Sequence, residues 1–119
     1  MVLVDTSIWI DHLRSGNAQL LSLLNDGKAA IHPFIIGELA CGNLKNRKEI
    51  ISLLHALPHI KKADDDEILF FVEKHQLMGL GIGLIDLHLL ASCKLETVRL
   101  LTRDKRLNQA AEKLNLLAN

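Results

Sequence analysis

Four carboxylates stand apart from the other charged residues and are the side chains best suited to chemistry. Asp5 is the only charged residue among the first ten, and Glu38 and Asp86 each lie in a long stretch without another Asp, Glu, Lys or Arg. Asp104 follows an apolar run, as Asp5 does. An unpaired carboxylate in apolar surroundings costs several kcal/mol or gives up its charge. We therefore expect the four acids to converge on a shared cation.

The predicted cation is Mg²⁺ or Mn²⁺, because both prefer oxygen ligands and no matching set of Arg or Lys lies in the apolar stretches. Such a site can hold a phosphodiester and activate a water. Taken singly, each acid has a structural alternative. Asp5 and Asp104 fit helix N-caps, Asp86 fits the first turn of a helix, and a buried Glu38 could bond a backbone amide or His32.

The apolar pattern places these acids on an alternation of strands and helices. Four strands are predicted, at 1–4, 28–32, 59–63 (a short edge strand) and 97–102, and seven helices, near 7–14, 18–24, 34–41, 47–57, 68–77, 85–94 and 104–114. This order predicts an α/β sandwich with a mostly parallel sheet. Ligands of such sheets bind beyond the carboxyl ends of the strands, which is where Asp5 falls.

Composition limits the other possibilities. The length of 119 residues fits one domain covering 1–119, and a formal net charge of zero excludes a general basic coat for nucleic acid. Cys41 and Cys93 both lie in apolar helical stretches, so we expect them to be buried free thiols in a reducing compartment. No apolar run reaches the roughly 20 residues that span a bilayer. The sequence therefore predicts a soluble, cytoplasmic protein without a membrane partner.

Few other groups suggest a site. Arg103, Lys105 and Arg106 flank Asp104 and could bind RNA phosphates, or simply form a solvated helix start. The glycines of 79–83 lack a phosphate-loop ending and are expected to let the backbone turn into the next helix. The four aromatic residues all sit in apolar helical patterns and are expected in the core, which excludes a base-stacking platform.

With these positions in hand, the chain resembles PIN-domain ribonucleases, and specifically the VapC-like toxins of type II toxin–antitoxin pairs. The likeness covers the whole length. It rests on four motifs in order, VDTSIWI at 4–10, IGEL at 36–39, GLIDLHLLA at 83–91 and LTRD at 101–104. The first motif is fairly specific, and the order and spacing of the other three add to it.

The resemblance implies a three-layer α/β sandwich, in which helices ring a central parallel sheet of four or five strands. It also implies Mg²⁺- or Mn²⁺-dependent cleavage of RNA. By this likeness Asp5, Glu38, Asp86 and Asp104 form the acidic catalytic cluster, with Asp5 and Asp86 as direct metal ligands. Thr6 and Thr102 match hydroxyl positions that orient a water or a carboxylate. The resemblance also implies a homodimer and a small antitoxin that covers the active groove.

Two other classes stay open at this point. A PIN-like scaffold without catalysis could serve as an RNA-binding or assembly module. A phosphoacceptor receiver domain is also α/β with acids at strand ends, but it requires an acidic pair after the first strand, where this chain has Thr6 and Ser7.

Overall fold

A parallel β-sheet of three strands lies at the centre of the molecule. The structure is a computed structural model and describes residues 1–118. Those residues form three strands and seven helices, in the order β1 (Val2–Val4), α1 (Thr6–Ser15), α2 (Ala18–Asn25), β2 (Ala29–Ala30), α3 (Pro33–Ala40), α4 (Arg47–Ala56), α5 (Asp65–His75), α6 (Leu84–Glu96), β3 (Arg99–Leu101) and α7 (Lys105–Lys113). The alternation confirms the predicted α/β class.

The strands run in the order β2-β1-β3. One parallel bridge extends each edge, joining Ile31 to His59 beside β2 and Leu100 to Leu117 beside β3. The predicted edge strand at 59–63 is therefore present only as a single bridge. Three strands stand where the resemblance implies four or five, because each outer segment pairs at one position and does not continue the ladder.

Helices cover both faces of this sheet. Successive residues of a strand point to opposite faces, and the neighbours Leu3 and Val4 are both fully buried. The sheet is thus the middle layer of a three-layer α/β sandwich, as predicted. In residues 1–118, no helix has both the length and the apolar character needed to cross a bilayer.

Helix α5 shows how capping sets the element boundaries. The Asp64 side chain accepts a hydrogen bond from the Glu67 N–H at 2.7 Å, and the Glu67 carboxylate accepts one from the Asp64 N–H at 3.0 Å. This capping box starts the helix at Asp65, three residues before the predicted start at Ile68. The acids therefore form the first turn, where the helix dipole favours them.

Two expectations about burial are wrong. Phe70 is 67% exposed, whereas its neighbour Phe71 is buried. Adjacent residues of a helix point about 100° apart, so only one of the pair faces the core. Cys41 is exposed, and only Cys93 is buried. Burial raises the pKa of the Cys93 thiol to about 12, which keeps it protonated.

Candidate active site at the carboxyl ends of the strands

The ends of β1 and β3 meet at the site. The pairing of Val4 with Leu101 continues beyond the strands, since the Asp5 N–H donates to the Leu101 carbonyl at 2.9 Å. The same register brings Asp5 beside Thr102. Asp5 is only 6% exposed, as expected for a carboxylate that follows a strand covered on both faces. The sequence places this acid correctly at the edge of the sheet.

Two hydroxyl groups hold the Asp5 carboxylate from one side. The Thr102 hydroxyl donates to Asp5 Oδ2 at 2.7 Å, and the Ser7 hydroxyl donates to the same oxygen at 2.9 Å. No hydrogen bond to Oδ1 is found in residues 1–118, and Oδ1 is not among the buried unpaired atoms there. One carboxylate oxygen is therefore fixed by the protein, and the other keeps access to solvent.

The same two hydroxyls tie the β3–α7 connection to the start of α1. Thr102 Oγ1 accepts a hydrogen bond from the Asp104 N–H at 3.1 Å, and Ser7 Oγ accepts one from the Arg103 N–H at 3.0 Å. Sequence reasoning anticipated Thr102 but missed Ser7. The available signal was its position two residues after Asp5, within reach of a short hydroxyl side chain.

Asp104 lies at the exposed rim of the site and caps α7. Its Oδ1 accepts a hydrogen bond from the Leu107 N–H at 2.9 Å. The N-cap alternative therefore holds for Asp104, with Oδ2 available for another role. Asp5 also occupies the N-cap position of α1, but its side chain makes no capping hydrogen bond. Its carboxylate is turned toward Thr102 instead.

Glu38 is exposed, which contradicts the expectation of an apolar environment for this acid. Its apolar neighbours Ile36 and Leu39 are buried on other faces of α3. Ile35, which lies one turn before Glu38 on the same side of the helix, is buried as well, so the burial of neighbouring residues did not reveal that Glu38 itself is exposed. The Thr6 hydroxyl donates to Glu38 Oε1 at 2.7 Å and so joins α1 to α3.

A buried histidine links the helix of Glu38 to the helix of Asp86. His32 caps α3 by accepting the Phe34 N–H on Nδ1 at 3.0 Å, so Nε2 carries the proton and donates to Ser92 Oγ of α6 at 3.1 Å. Burial, followed by the charge of His88 and then that of Lys62, lowers the His32 pKa to about 4. The ring is neutral at physiological pH, and it does not contact Glu38 as one alternative required.

The pKa of Asp86 is affected by the charges of the other three acids. Its pKa is raised to about 6, first by burial and then by the negative charges of Asp5, Asp104 and Glu38, while the backbone of Gly83 partly offsets the rise. Coulomb interactions weaken with distance, so the direction of this shift favours a common location for the four carboxylates. Hydrogen bonds join two of the acids directly: the Thr102 hydroxyl donates to Asp5 Oδ2 and accepts from the N–H of Asp104, which is separated from Asp5 by 99 positions (104 minus 5) in the chain.

The acids are clustered, but they do not form a closed metal cage. Within the described residues, no three side chains of His, Cys, Asp or Glu come close enough to hold a metal ion by themselves. The donor set is nevertheless all oxygen, and Mg²⁺ is commonly bound by one or two carboxylates, several waters and substrate phosphates. The residues therefore fit a hard cation that the substrate helps to hold.

The basic residues near Asp104 have partners of their own. Arg103 pairs with Asp11 at 2.8 Å, and this exposed ion pair adds little stability. The Arg106 guanidinium packs over Gly81, where an added Cβ would lie 2.6 Å from a guanidinium nitrogen. Gly81 also has a φ of +76°, so this loop position requires glycine, as expected for a close turn before α6. Lys105 is exposed beside them.

Comparison with known proteins identifies relatives over nearly the whole chain. The family model described as the PIN domain matches residues 2–113. Ribonuclease VapC32 of Mycobacterium tuberculosis, from strain CDC 1551 / Oshkosh and from strain ATCC 25618 / H37Rv, is 46% identical over 111 residues. The matched region covers 92% of this chain and 90% of each relative.

Two solved structures share the fold. PAE2754 from Pyrobaculum aerophilum has a TM-score of 0.65 at 16% identity, covering 92% of this chain and 83% of its own. The structure of FitAB bound to an IR36 DNA fragment has a TM-score of 0.62 at 16% identity, covering 94% of this chain and 91% of the other. Together with the family match, these likenesses exclude the receiver-domain alternative.

Proposed function

The chain belongs to the PIN-domain family, and we propose that it is an endoribonuclease that hydrolyses RNA phosphodiester bonds, acting as the toxin of a toxin–antitoxin pair. The name ribonuclease carried by relatives at 46% identity supports the reaction. The structural observation that carries the proposal is the nearly buried Asp5 carboxylate, which Ser7 and Thr102 hold at the carboxyl ends of β1 and β3. Burial, and then the charges of Asp5, Asp104 and Glu38, raise the pKa of Asp86, which also supports it. Four acids gathered at a strand edge match a phosphodiester hydrolase that neutralises them with a cation.

We propose Mg²⁺ or Mn²⁺ as the cofactor, held chiefly by Asp5 and Asp86. When bound, such an ion would activate a water and stabilise the leaving oxygen. Asp5 presents Oδ1 because Ser7 and Thr102 occupy Oδ2. Asp86 presents a half-buried carboxylate whose pKa is raised first by burial and then by the negative charges of the other three acids. Such a pair offers a cation a preorganised binding edge.

Glu38 and Asp104 complete the proposed cluster at its exposed rim. Each already accepts one hydrogen bond on one oxygen, from the Thr6 hydroxyl and the Leu107 N–H respectively, and so has a second oxygen to offer. Because these supports immobilise the carboxylates, they lower the entropy lost when a substrate or water binds. We propose that the two acids orient water and substrate.

We propose that Arg103, Lys105 and Arg106 contact RNA phosphates beside the acids. All three are exposed at the start of α7. The Arg103 ion pair with Asp11 is too weak to prevent an exchange for phosphate.

We also propose two protein partners. The resemblance to VapC-like toxins supports a small antitoxin and a homodimer, and the free thiols support a cytoplasmic location.

A cleavage assay on labelled RNA tests the reaction. Asp5→Asn and Asp86→Asn should each lower the cleavage rate in Mg²⁺ by more than the ~10–100-fold typical of a supporting residue. Asp26→Asn is the matched control, because Asp26 is an exposed acid at the end of α2. Cleavage by Asp5→Asn at the unmodified rate would refute the assignment.

Metal removal tests the cofactor separately. Dialysis against a chelator should abolish cleavage, and Mg²⁺ or Mn²⁺ should restore it. Full activity after dialysis would contradict the metal proposal while leaving the ribonuclease proposal standing. Co-purification with the product of a short open reading frame directly upstream tests the antitoxin.

A non-catalytic RNA-binding or assembly module is the second candidate. The observation in its favour is that, in residues 1–118, no three acids approach closely enough to hold a metal alone. Such a module would bind RNA without cutting it in either Mg²⁺ or Mn²⁺. An RNA-binding assay run beside the cleavage assay separates the two.

A further inference from the structure

A groove between helices α5 and α6 carries an exposed aromatic ring beside two lysines, and the proposed active site uses none of these residues. The groove has a volume of about 180 Å³, and its lining includes Phe70, Lys74 and Lys94. Phe70 is 67% exposed, and the Lys74 Nζ lies 5.8 Å from the centre of its ring. The expectation that every aromatic ring lies in the core, which excluded base stacking, therefore does not apply to Phe70.

Positive charge gathers at one end of this groove. Lys74 and Lys94 line it together with the partly buried His75, and both lysines are exposed. Burial lowers the pKa of His75, and the positive charges of Lys74, Lys94 and Lys113 lower it further. The direction of the last effect favours a location of Lys113, at the end of α7, beside the same groove. The ring and the three lysines form a basic and aromatic surface, the Phe70 patch.

The acids of α5 lie at the opposite end of that helix. Glu67 also lines the groove, but its Oε1 accepts the Asp64 N–H in the capping box. Asp66 lies one turn before Phe70, whereas Lys74 lies one turn after it. The first half of α5 therefore repels a polyanion, and the second half, from Phe70 onward, attracts one.

Helices α6 and α7 each lead from an acid of the proposed active site to a lysine of the Phe70 patch. Asp86 and Lys94 are eight positions apart (94 minus 86), and Asp104 and Lys113 are nine apart (113 minus 104). At the helical rise of ~1.5 Å per residue, each pair is separated by roughly 12–14 Å. Nucleotides follow one another at about 3.4 Å along a helical strand, so about four of them bridge this distance. The helix dipole accounts for a lysine in the last turn, but it does not account for an exposed phenylalanine nearby.

We propose that the Phe70 patch is a second RNA-binding site, at which a base of single-stranded RNA stacks on Phe70 while neighbouring phosphates contact Lys74 and Lys94. Single-stranded RNA matches this surface because each nucleotide offers a π-face and a phosphate, so binding requires no fixed sequence. A protein partner matches it less well, because lysine is depleted from protein–protein interfaces. The inference rests on the proposed function, since RNA is the ligand, and it adds that the substrate is also held at a distance from the acids.

RNA binding by the full chain tests the ring. The measurement uses the Asp5→Asn chain, in which the proposed cleavage is absent, and a labelled single-stranded RNA of about 12 nucleotides. Adding Phe70→Ala should raise the dissociation constant at least about 5-fold, the effect of losing one stacked base. Phe70→Trp keeps a ring and should bind at least as tightly as the Asp5→Asn chain alone. Leu69→Ala is the matched control, because Leu69 is 69% exposed beside Phe70, and it should bind normally.

Two results overturn the proposal outright. One is an Asp5→Asn chain that binds no RNA, and the other is a Phe70→Ala variant that binds RNA as tightly as its parent. Circular dichroism confirms that the substitutions, all at exposed positions apart from Asp5, leave the fold intact.

The salt dependence of binding tests the lysines separately from the ring. Lys94→Gln should reduce the slope of log K against log[salt] by about 0.7, the contribution of one phosphate of a single strand. Phe70→Ala should weaken binding without changing this slope, because stacking releases no counterion. Lys48→Gln, at an exposed lysine of α4, is the matched control and should also leave the slope unchanged. A slope that Lys94→Gln does not alter overturns the proposal.

Two further measurements separate this site from a protein contact and from catalysis. If Phe70→Ala alters the sedimentation of the RNA-free chain and leaves RNA binding unchanged, the surface contacts protein and the proposal is wrong. In the chain with Asp5 intact, Phe70→Ala should raise KM for the same RNA and leave kcat unchanged, because the patch does not touch the reacting phosphodiester. A lower kcat with an unchanged KM contradicts the proposal.

Failure of this site and failure of the nuclease give different results. Normal cleavage together with unimpaired RNA binding by Phe70→Ala removes the second site and leaves the ribonuclease proposal standing. Conversely, a chain that cuts no RNA but binds it through Phe70 supports this surface and contradicts only the nuclease.

Discussion

Neutralising Asp86 should stabilise the metal-free protein even though it should abolish the proposed activity. The pKa of Asp86 is about 6 in the folded protein against an ordinary value of 3.8. The folded chain therefore binds this proton more tightly than the unfolded chain does. Below pH 3.8 Asp86 is protonated in both states and does not lower the free energy of unfolding. As the pH rises from 3.8 to about 6, ionisation of Asp86 lowers the free energy of unfolding, and this loss stays constant at higher pH. The full shift corresponds to about 3 kcal/mol at 1.36 kcal/mol per pH unit, and because the carboxylate is only half-buried, solvent screening reduces the expected effect to about 1–2 kcal/mol.

Asp86→Asn keeps the shape of the side chain and removes this cost. We expect a gain of about 1–2 kcal/mol above roughly pH 7, since the amide also loses part of the favourable interaction with the Gly83 backbone. For a chain of this length the gain corresponds to a rise in Tm of about 4–8 °C. At about pH 4.5 the advantage should fall to about a third, and below 3.8 it should disappear.

The assay is thermal unfolding followed by circular dichroism in the presence of a chelator, for both chains at both pH values. Titration of His32 affects both chains equally and cancels in the difference. Asp26→Asn serves as the control and should show no pH-dependent gain, because Asp26 is exposed at the end of α2. Added Mg²⁺ or Mn²⁺ should raise the Tm of the unmodified chain only. A Tm difference that is independent of pH, or a less stable Asp86→Asn protein at neutral pH, would refute the reasoning.

Three polar contacts around the site give further predictions. Thr102→Val removes the donor to Asp5 at nearly constant shape and should lower RNA cleavage about 10–100-fold, measured with the labelled RNA. Ser92→Ala leaves the Nε2–H of His32 unpaired in the core and should lower the free energy of unfolding in urea by about 1–3 kcal/mol. Because the pKa of His32 is about 4 in the fold against 6.5 ordinarily, stability should also fall as the pH is lowered from 6.5 to 4, by up to about 3 kcal/mol. That last loss is best measured in the Asp86→Asn background, where the opposite pH dependence of Asp86 is absent.

Each of these outcomes has a matched comparison. Ser52→Ala, at an exposed position of α4, should leave the free energy of unfolding unchanged. Unaltered cleavage by Thr102→Val would show that Asp5 needs no hydroxyl support. Replacing His32 with Gln should remove the loss of stability between pH 6.5 and 4, and persistence of that loss would assign it to another group.

Much of the architecture was predictable because it depends on local interactions. The apolar run before Asp5 forms a buried strand, and Asn17 and Asp104 cap the helices that follow them. Short-range capping and a short continuous run of apolar residues suffice for these features. The length of the strands was harder to predict from the sequence, because strand pairing requires a partner from elsewhere in the chain. Three strands and two single bridges form where four strands were predicted.

The sequence by itself determined which residues are candidates for the chemistry, since acids isolated among apolar residues are visible in the order of the chain. Only the tertiary structure decided how those acids are supported, because their hydrogen-bond partners are distant. Thr102 reaches Asp5 across 97 positions, and His32 reaches Ser92 across 60. Exposure of Glu38 and Phe70 was likewise decided by packing, because the face of a helix that turns inward depends on what lies against it.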